Sequence, residues 1–195
     1  MLSTMINIAL VGYGHWGPNY ARLIAQDSRC ELLACVDTDA VRCQKARADY
    51  PGIIVSDQLS QVLQHPLIDA LIIATPAWTH YALVQQCLAA GKHVLCEKPL
   101  SLRAIECEGL HQQALSAQKI LMVDHTFLFN PGILALKAQL PALGPLHYLT
   151  STRTHLGPIR ADVDVLGDLA SHDIAIFNDL LGALPVKVSA CGGGF

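Results

Sequence analysis

Three side chains of this 195-residue chain have the type and setting for proton chemistry: Lys98, Asp168 and His172. Asp168 and His172 are four residues apart in a helical pattern, which puts them on one face. A carboxylate and an imidazole so placed can hold a proton acceptor beside an alcohol. Lys98 lies in Glu97-Lys98-Pro99, just after an apolar run ending at Cys96. It would therefore project from the C-terminal edge of a sheet, where open α/β folds bind their ligands. Each group also has a plainer reading. Lys98 can be a solvated surface lysine, and Asp168 one of several acids, with Asp162, Asp164, Asp173 and Asp179, that keep a helix soluble. Two ligands with no third at a persuasive spacing do not make a metal site, so no metal is expected.

A second group stands at the start of the chain. The apolar run Ile6–Val11 enters Gly12-Tyr13-Gly14-His15-Trp16-Gly17, and Asp37 closes another apolar run 20 residues after Gly17. In this pattern the first glycine makes a tight turn, the second lets backbone approach a pyrophosphate, and the third lets helix pack on strand. Backbone N–H groups and the helix dipole would hold the phosphates. Asp37 would accept from the adenosine ribose. It would repel a 2′-phosphate, and Thr38 brings no positive charge, so NAD is expected over NADP. Asp37 can also be a strand-end turn residue, and the glycines can simply pack tightly. Thr75-Pro76-Ala77-Trp78-Thr79-His80 follows a further strand and would line the nicotinamide side of the crevice, with His80 equally readable as a helix-start residue.

The elements that must carry these groups alternate. Strands are expected at 6–11, 31–36, 53–55, 70–74, 94–96 and 120–123. Helices are expected at 15–25, 40–49, 59–63, 80–90 and 101–117. The nearly unbroken apolar run 70–74 fits a parallel strand buried on both faces. Repeated crossovers of this length make an open parallel sheet with helices on both sides. The rhythm changes after Asp124: a short helix at 133–140, strand candidates at 147–152 and 186–190, and a helix at 166–181 between them. The reading is a Rossmann-like domain over 1–124 and a partial substrate or oligomerisation domain over 125–195. Two isolated strand candidates cannot make a covered sheet, so this second part is expected to be truncated.

An apolar fraction of 52% with 15% charged residues supports a core, and a net charge of −3 gives no reason to expect nucleic acid. No apolar segment approaches the ~20 residues of a membrane span, and the start does not resemble a signal peptide, so a cytoplasmic location is expected. Seven cysteines, with Cys35 and Cys96 inside strand-like runs, read as buried thiols of a reducing compartment.

Together, the glycine turn, Thr75-Pro76 with His80, Glu97-Lys98-Pro99, and Asp168 with His172 resemble the glucose–fructose oxidoreductase / inositol dehydrogenase family of NAD(P)-dependent sugar and cyclitol oxidoreductases. The resemblance implies a Rossmann-like parallel-sheet domain followed by an α/β domain with a mostly antiparallel sheet, often used for homo-oligomerisation. It implies that Lys98 orients a substrate hydroxyl, that His172 is the catalytic histidine, and that Asp168 positions substrate or imidazole. The segment 153–173 is most similar to the branch of UDP-N-acetylglucosamine (or uronate) 3-dehydrogenases. Gly167 and Ser171 depart from it, standing where such relatives often have tryptophan and proline. Arg153 and Arg160 would suit a substrate diphosphate, or be exposed loop charges. The expected activity is hydride transfer between a sugar or sugar-nucleotide carbinol and nicotinamide. The alternative is a non-catalytic dinucleotide-binding sensor, a partner subunit, or an inactive fragment of such an enzyme.

Overall fold

A computed structural model of the protein describes residues 5–154 and 163–193, and the chain divides into two compact units, Met1–Asp124 and His125–Phe195. In the first unit the strands are β1 (Ile6–Val11), β2 (Cys30–Val36), β3 (Ile54–Ser56), β4 (Ala70–Ile73), β5 (His93–Cys96) and β6 (Leu121–Val123). Between them run α1 (Gly17–Gln26), α2 (Ala40–Asp49), α3 (Leu59–Leu63), α4 (Ala77–Ala89) and α5 (Ala104–Ser116). All pairings are parallel and the order is β3-β2-β1-β4-β5-β6. This is the doubly wound order whose direction reverses between β1 and β4.

Period-two alternation explains why both faces are covered. In β1, Ala9 and Val11 join Leu71, Ile73, Val94 and Cys96 in one core, sealed by Val84 and Leu88 of α4 and Leu110 of α5. Ile8 and Leu10 point the other way, onto Tyr20, Ala21 and Ile24 of α1 and Ala46 of α2. Burying each large apolar side chain contributes roughly 1.5–3 kcal/mol, so the apolar runs become the sheet's centre. β2 breaks the alternation once. Ile8 pairs with Leu32 but Ala9 pairs with Ala34, so Leu33 is an extra residue. Leu33 and Ala34 consequently face the same core, and Cys35 returns to the side of Leu32.

Helix starts follow local chemistry. Asp39 caps α2, its carboxylate accepting from the N–H of Val41 at 2.8 Å. α4 begins at Ala77, three residues before the expected start, because Pro76 supplies the extended residue before a first turn that already includes Trp78 and Thr79.

The second unit contains a 3-10 turn (Thr126–Phe129), α6 (Pro131–Gln139), a further 3-10 turn (Leu140–Leu143), a π-helical turn (Leu166–Ala170) and α7 (Ser171–Leu181). Asn130 caps α6 through Gly132 N–H at 2.8 Å, and Lys137 pairs with Asp179 at 2.6 Å, joining α6 to α7. The single helix expected over 166–181 is instead a π turn running into an α-helix. The strand candidates 147–152 and 186–190 lie in irregular backbone, with Tyr148, Val186 and Val188 exposed. Among the described residues no ladder stands beside these segments, and a strand without one is not stable.

Candidate functional site

One row of backbone hydrogen bonds sets the geometry of the C-terminal sheet edge. Each strand extends its ladder by one residue: Asp37 N–H to Ser56 O, Gly12 N–H to Val36 O at 2.7 Å, and Ala74 N–H to Val11 O at 2.8 Å. The row continues with Glu97 N–H to Ile73 O at 2.9 Å and Asp124 N–H to Cys96 O at 2.8 Å. Asp37, Gly12, Ala74, Glu97 and Asp124 thus lie side by side where the strands end.

Gly12 has φ +98°, and a Cβ there would lie 2.5 Å from Ala74 O. A Cβ on Gly17 would lie 2.2 Å from Gly12 O. Only glycine fits either place: the turn is pressed between β4 and the start of α1. Beyond Gly14, by contrast, a Cβ would meet only the Arg42 guanidinium, at 3.5 Å, so this face of the turn can be approached. α1 has neither a side-chain cap nor an acidic residue in its first turn, which leaves the positive end of its dipole to an anion. His15 and Trp16 are exposed at the mouth of the turn, stacked edge to face at 5.7 Å. Tyr13 takes part through its backbone, since its ring is buried and its hydroxyl donates to Asp49.

Asp37 is 7% exposed and fixes the turn from below. One carboxylate oxygen accepts from Tyr13 N–H at 2.7 Å and the other from Asp39 N–H at 2.9 Å. A carboxylate has about four acceptor positions, so two remain for a diol. The two sequence readings of Asp37, turn residue and ribose acceptor, are compatible. Arg42, which the sequence reading passed over, stands 3.8 Å from Asp37 and 3.7 Å from Asp39. The signal for it was local: Asp39 as cap places Arg42 in the first turn of α2, beside the glycine turn.

His80 is buried, with Nδ1 2.7 Å from Pro99 O and Nε2 2.8 Å from Thr75 O. The imidazole therefore braces the loop after β4 against the loop after β5. Its nitrogens are turned to these carbonyls, and Thr75 Oγ1 turns to Thr79 Oγ1 at 2.6 Å. The Lys98–Pro99 peptide is cis. Glu97 is half-buried; its Oε2 accepts from Lys98 N–H at 3.1 Å, and its Oε1 lies 2.8 Å from Tyr20 Oη. Tyr20 Oη also hydrogen-bonds Asp124 Oδ2. Burial raises the Glu97 carboxyl above the ordinary range, outweighing the opposing Tyr20 hydrogen bond. Tyr20, pushed up by burial and then by Asp124, keeps its phenolic proton. Neither Tyr20 nor Asp124 was singled out from sequence, where Tyr20 lies inside the helix expected over 15–25.

In the second unit, Asp168 sits in the π turn and His172 in the first turn of α7, four residues apart across the junction of the two. His172 packs edge to face on Phe127 at 4.7 Å. Arg153 stacks over the same ring, also at 4.7 Å, and forms a two-pronged pair with Asp173, both contacts at 2.8 Å. The Arg153 guanidinium holds the Asp173 carboxyl below its usual range. Arg153 is thus engaged in bracing the His172 region. Arg160 lies outside the described residues. Among the described residues no group of three or more His, Cys, Asp or Glu could hold a metal ion, and no helix is long and apolar enough to cross a membrane.

A parallel sheet in this order, with a glycine turn at its reversal point and a carboxylate ending β2, defines a dinucleotide-binding Rossmann domain. Residues 6–125 match the family described as "Oxidoreductase family, NAD-binding Rossmann fold", and the chain belongs to that family. It is 32% identical over 189 residues to UDP-N-acetylglucosamine 3-dehydrogenase of Acidithiobacillus ferrooxidans, covering 94% of this chain and 56% of that protein. It is 28% identical to inositol 2-dehydrogenase of Acidothermus cellulolyticus, covering 96% of this chain and 57% of that one. The crystal structure of GenD2 from gentamicin A biosynthesis, in complex with NAD, superposes with a TM-score of 0.80 at 27% identity, covering 92% of this chain and 54% of that one. Another relative, from Bacillus subtilis, is a scyllo-inositol 2-dehydrogenase (NADP(+)), 29% identical over 95% of this chain. The chain spans about half the length of these relatives.

Proposed function

We propose that the chain is the dinucleotide-binding part, with the beginning of the substrate part, of an NAD-dependent dehydrogenase acting on a sugar or sugar-nucleotide carbinol. The observation that carries this is the Asp37 carboxylate, buried at the end of β2 and bonded to Tyr13 N–H of a turn that no Cβ could enter at Gly12 or Gly17. Gly14 and the start of α1 would take the pyrophosphate, with His15 and Trp16 at the rim. Asp37 would take the ribose hydroxyls and disfavour a 2′-phosphate. Arg42, half-exposed beside Asp37 and Asp39, offsets part of the negative charge at this end of the site. Thr75, Pro76 and the Glu97–Lys98 pair would face the nicotinamide end, His80 acting by bracing their loops.

The nicotinamide supplies the hydride chemistry when bound. Lys98 would hold the reacting hydroxyl and stabilise negative charge on its oxygen, His172 would take the proton, and Asp168 would orient substrate or imidazole. Arg153 would act on substrate through the His172 region, and Arg160 would meet a diphosphate. The UDP-N-acetylglucosamine relative supports a nucleotide-linked sugar as the substrate class. The domain division at 124/125, an antiparallel sheet built on segments such as 147–152 and 186–190, and homo-oligomerisation through it belong to the same proposal.

Calorimetric titration with NAD and NADP, followed by single-turnover absorbance with inositols, free sugars and UDP-sugars, tests it. NAD binding at least tenfold tighter than NADP, lost in D37A, is the expected result. Equal affinity for both would refute the role of Asp37. NAD binding without hydride transfer to any member of the panel would favour the non-catalytic reading.

A further inference from the structure

The Tyr20 hydroxyl raises a question of hydrogen counting. A phenol carries one proton, yet its oxygen lies within hydrogen-bond distance of two carboxyl groups, Glu97 Oε1 and Asp124 Oδ2. If both were ionised, one of these oxygen–oxygen contacts would have no proton in it, and two anions would share one buried corner. A second proton would fill both contacts and remove one of the two charges.

We propose that Glu97, Tyr20 and Asp124 form a proton-sharing triad in which Glu97 is the un-ionised member: its carboxyl donates to Tyr20 Oη, and Tyr20 in turn donates to Asp124. The remaining contact of Glu97 has the matching polarity. Oε2 accepts from Lys98 N–H, as the carbonyl oxygen of a neutral acid should, while Oε1 carries the proton toward Tyr20. The charged and titratable groups around Glu97 are Tyr20 from α1, Asp124 from the end of β6, and its chain neighbours Lys98 and Cys96. Burial and the Asp124 charge both favour the neutral form; Lys98 and the hydrogen bonds oppose it.

Two consequences follow. The triad anchors α1, the helix that starts at the glycine turn, to the ends of β5 and β6, and so fixes the backbone that presents Lys98. Glu97 also brings no negative charge to the ligand edge. On the dehydrogenase reading, on which this step rests, the Lys98 ammonium then acts on the substrate oxygen without a competing carboxylate at its own neighbour. Glu97, Tyr20 and Asp124 are positioning residues for Lys98.

Infrared difference spectroscopy of the full chain, titrated in pH with and without added NAD, reads the protonation state directly and needs no turnover. The expected result is the C=O stretch of an un-ionised carboxylic acid at neutral pH, absent in E97Q. In D124N the neighbouring charge is gone, so the band should be lost at least about one pH unit lower, a roughly tenfold weaker proton affinity. Absence of the band in the wild type, its survival in E97Q, or an unmoved titration in D124N each overturns the triad. A chain that keeps the band, loses it in E97Q and transfers no hydride sustains the triad and counts against the dehydrogenase reading alone, so the two fail separately.

Discussion

Replacing His80 with leucine should destabilise the first unit far more than its single-residue size suggests. The imidazole is 1% exposed and its two nitrogens serve carbonyl oxygens 24 residues apart in sequence, at Thr75 and Pro99. Leucine fills much of the volume but leaves both oxygens in an apolar pocket. Each buried acceptor left without its bond costs about 1–3 kcal/mol, and the added apolar burial offsets about 1 kcal/mol, for a net loss of about 1–5 kcal/mol when both are left so. At ~2.1 cal/mol/K per residue, Met1–Asp124 unfolds with an entropy of about 0.26 kcal/mol/K, so the midpoint should fall by about 4–19 °C. Asparagine can reach only one of the two carbonyls and should recover about half the loss. Leucine at the exposed His111 should change stability by no more than about 0.5 kcal/mol. Thermal unfolding followed by near-ultraviolet dichroism, with urea titrations of the three variants, gives the comparison. An H80L protein within about 1 kcal/mol of wild type, with H80N no better, would refute the idea that this imidazole braces the two loops.

G17A should cost about 1–3 kcal/mol, because the new methyl would sit 2.2 Å from a backbone oxygen that cannot swing away; NAD affinity should fall with it, and G14A, where the neighbour is a flexible guanidinium, should be milder in a melting comparison. R153Q should reveal the Asp173 carboxyl in the pH dependence of stability. Its folded-state pKa is depressed by Arg153, so its contribution is present above the ordinary carboxylate range and is lost as pH falls through the depressed value. The wild-type advantage over R153Q, about 1 kcal/mol at neutral pH, should shrink as the carboxyl is protonated, leaving what the stacking on Phe127 contributes, as urea titrations from pH 7 downward would measure.

The elements around the glycine turn were legible because their causes are local. Ile6–Val11, Ala40–Asp49 and Leu59–Leu63 begin and end where apolar runs, caps and turn residues dictate. The parallel pairing followed from crossover length, and the Asp37 position from its distance to Gly17. What the sequence hid depends on partners far along the chain. His80 looks like a helix-start residue until Pro99 lies against it. Tyr20 looks like one more helix residue until Glu97 and Asp124, 77 and 104 residues later, converge on its hydroxyl. The π turn over Leu166–Ala170 leaves no mark in the apolar spacing, which reads there as an ordinary helix. The segments 147–152 and 186–190 have the composition of strands, but strand formation is a property of pairs.

The extra residue in β2 makes that strand a parity switch. Side chains upstream of Leu33 count even numbers toward α1 and α2; those downstream count odd numbers there, so Cys35 and, one step past the strand, Asp37 inherit the second phase. Deleting Leu33 would return the strand to a single phase. Leu32 and Ala34 would then be neighbours and would meet Ile8 and Ala9 in unbroken register, with Cys35 and Asp37 still on their present side. Core packing and the placing of Asp37 therefore do not depend on the extra residue, whose loss removes only the contacts of the Leu33 side chain. A deletion in the middle of a buried strand, which ordinarily slips the register, should here leave the far end of β2 and its Asp37 contact to Tyr13 N–H in place.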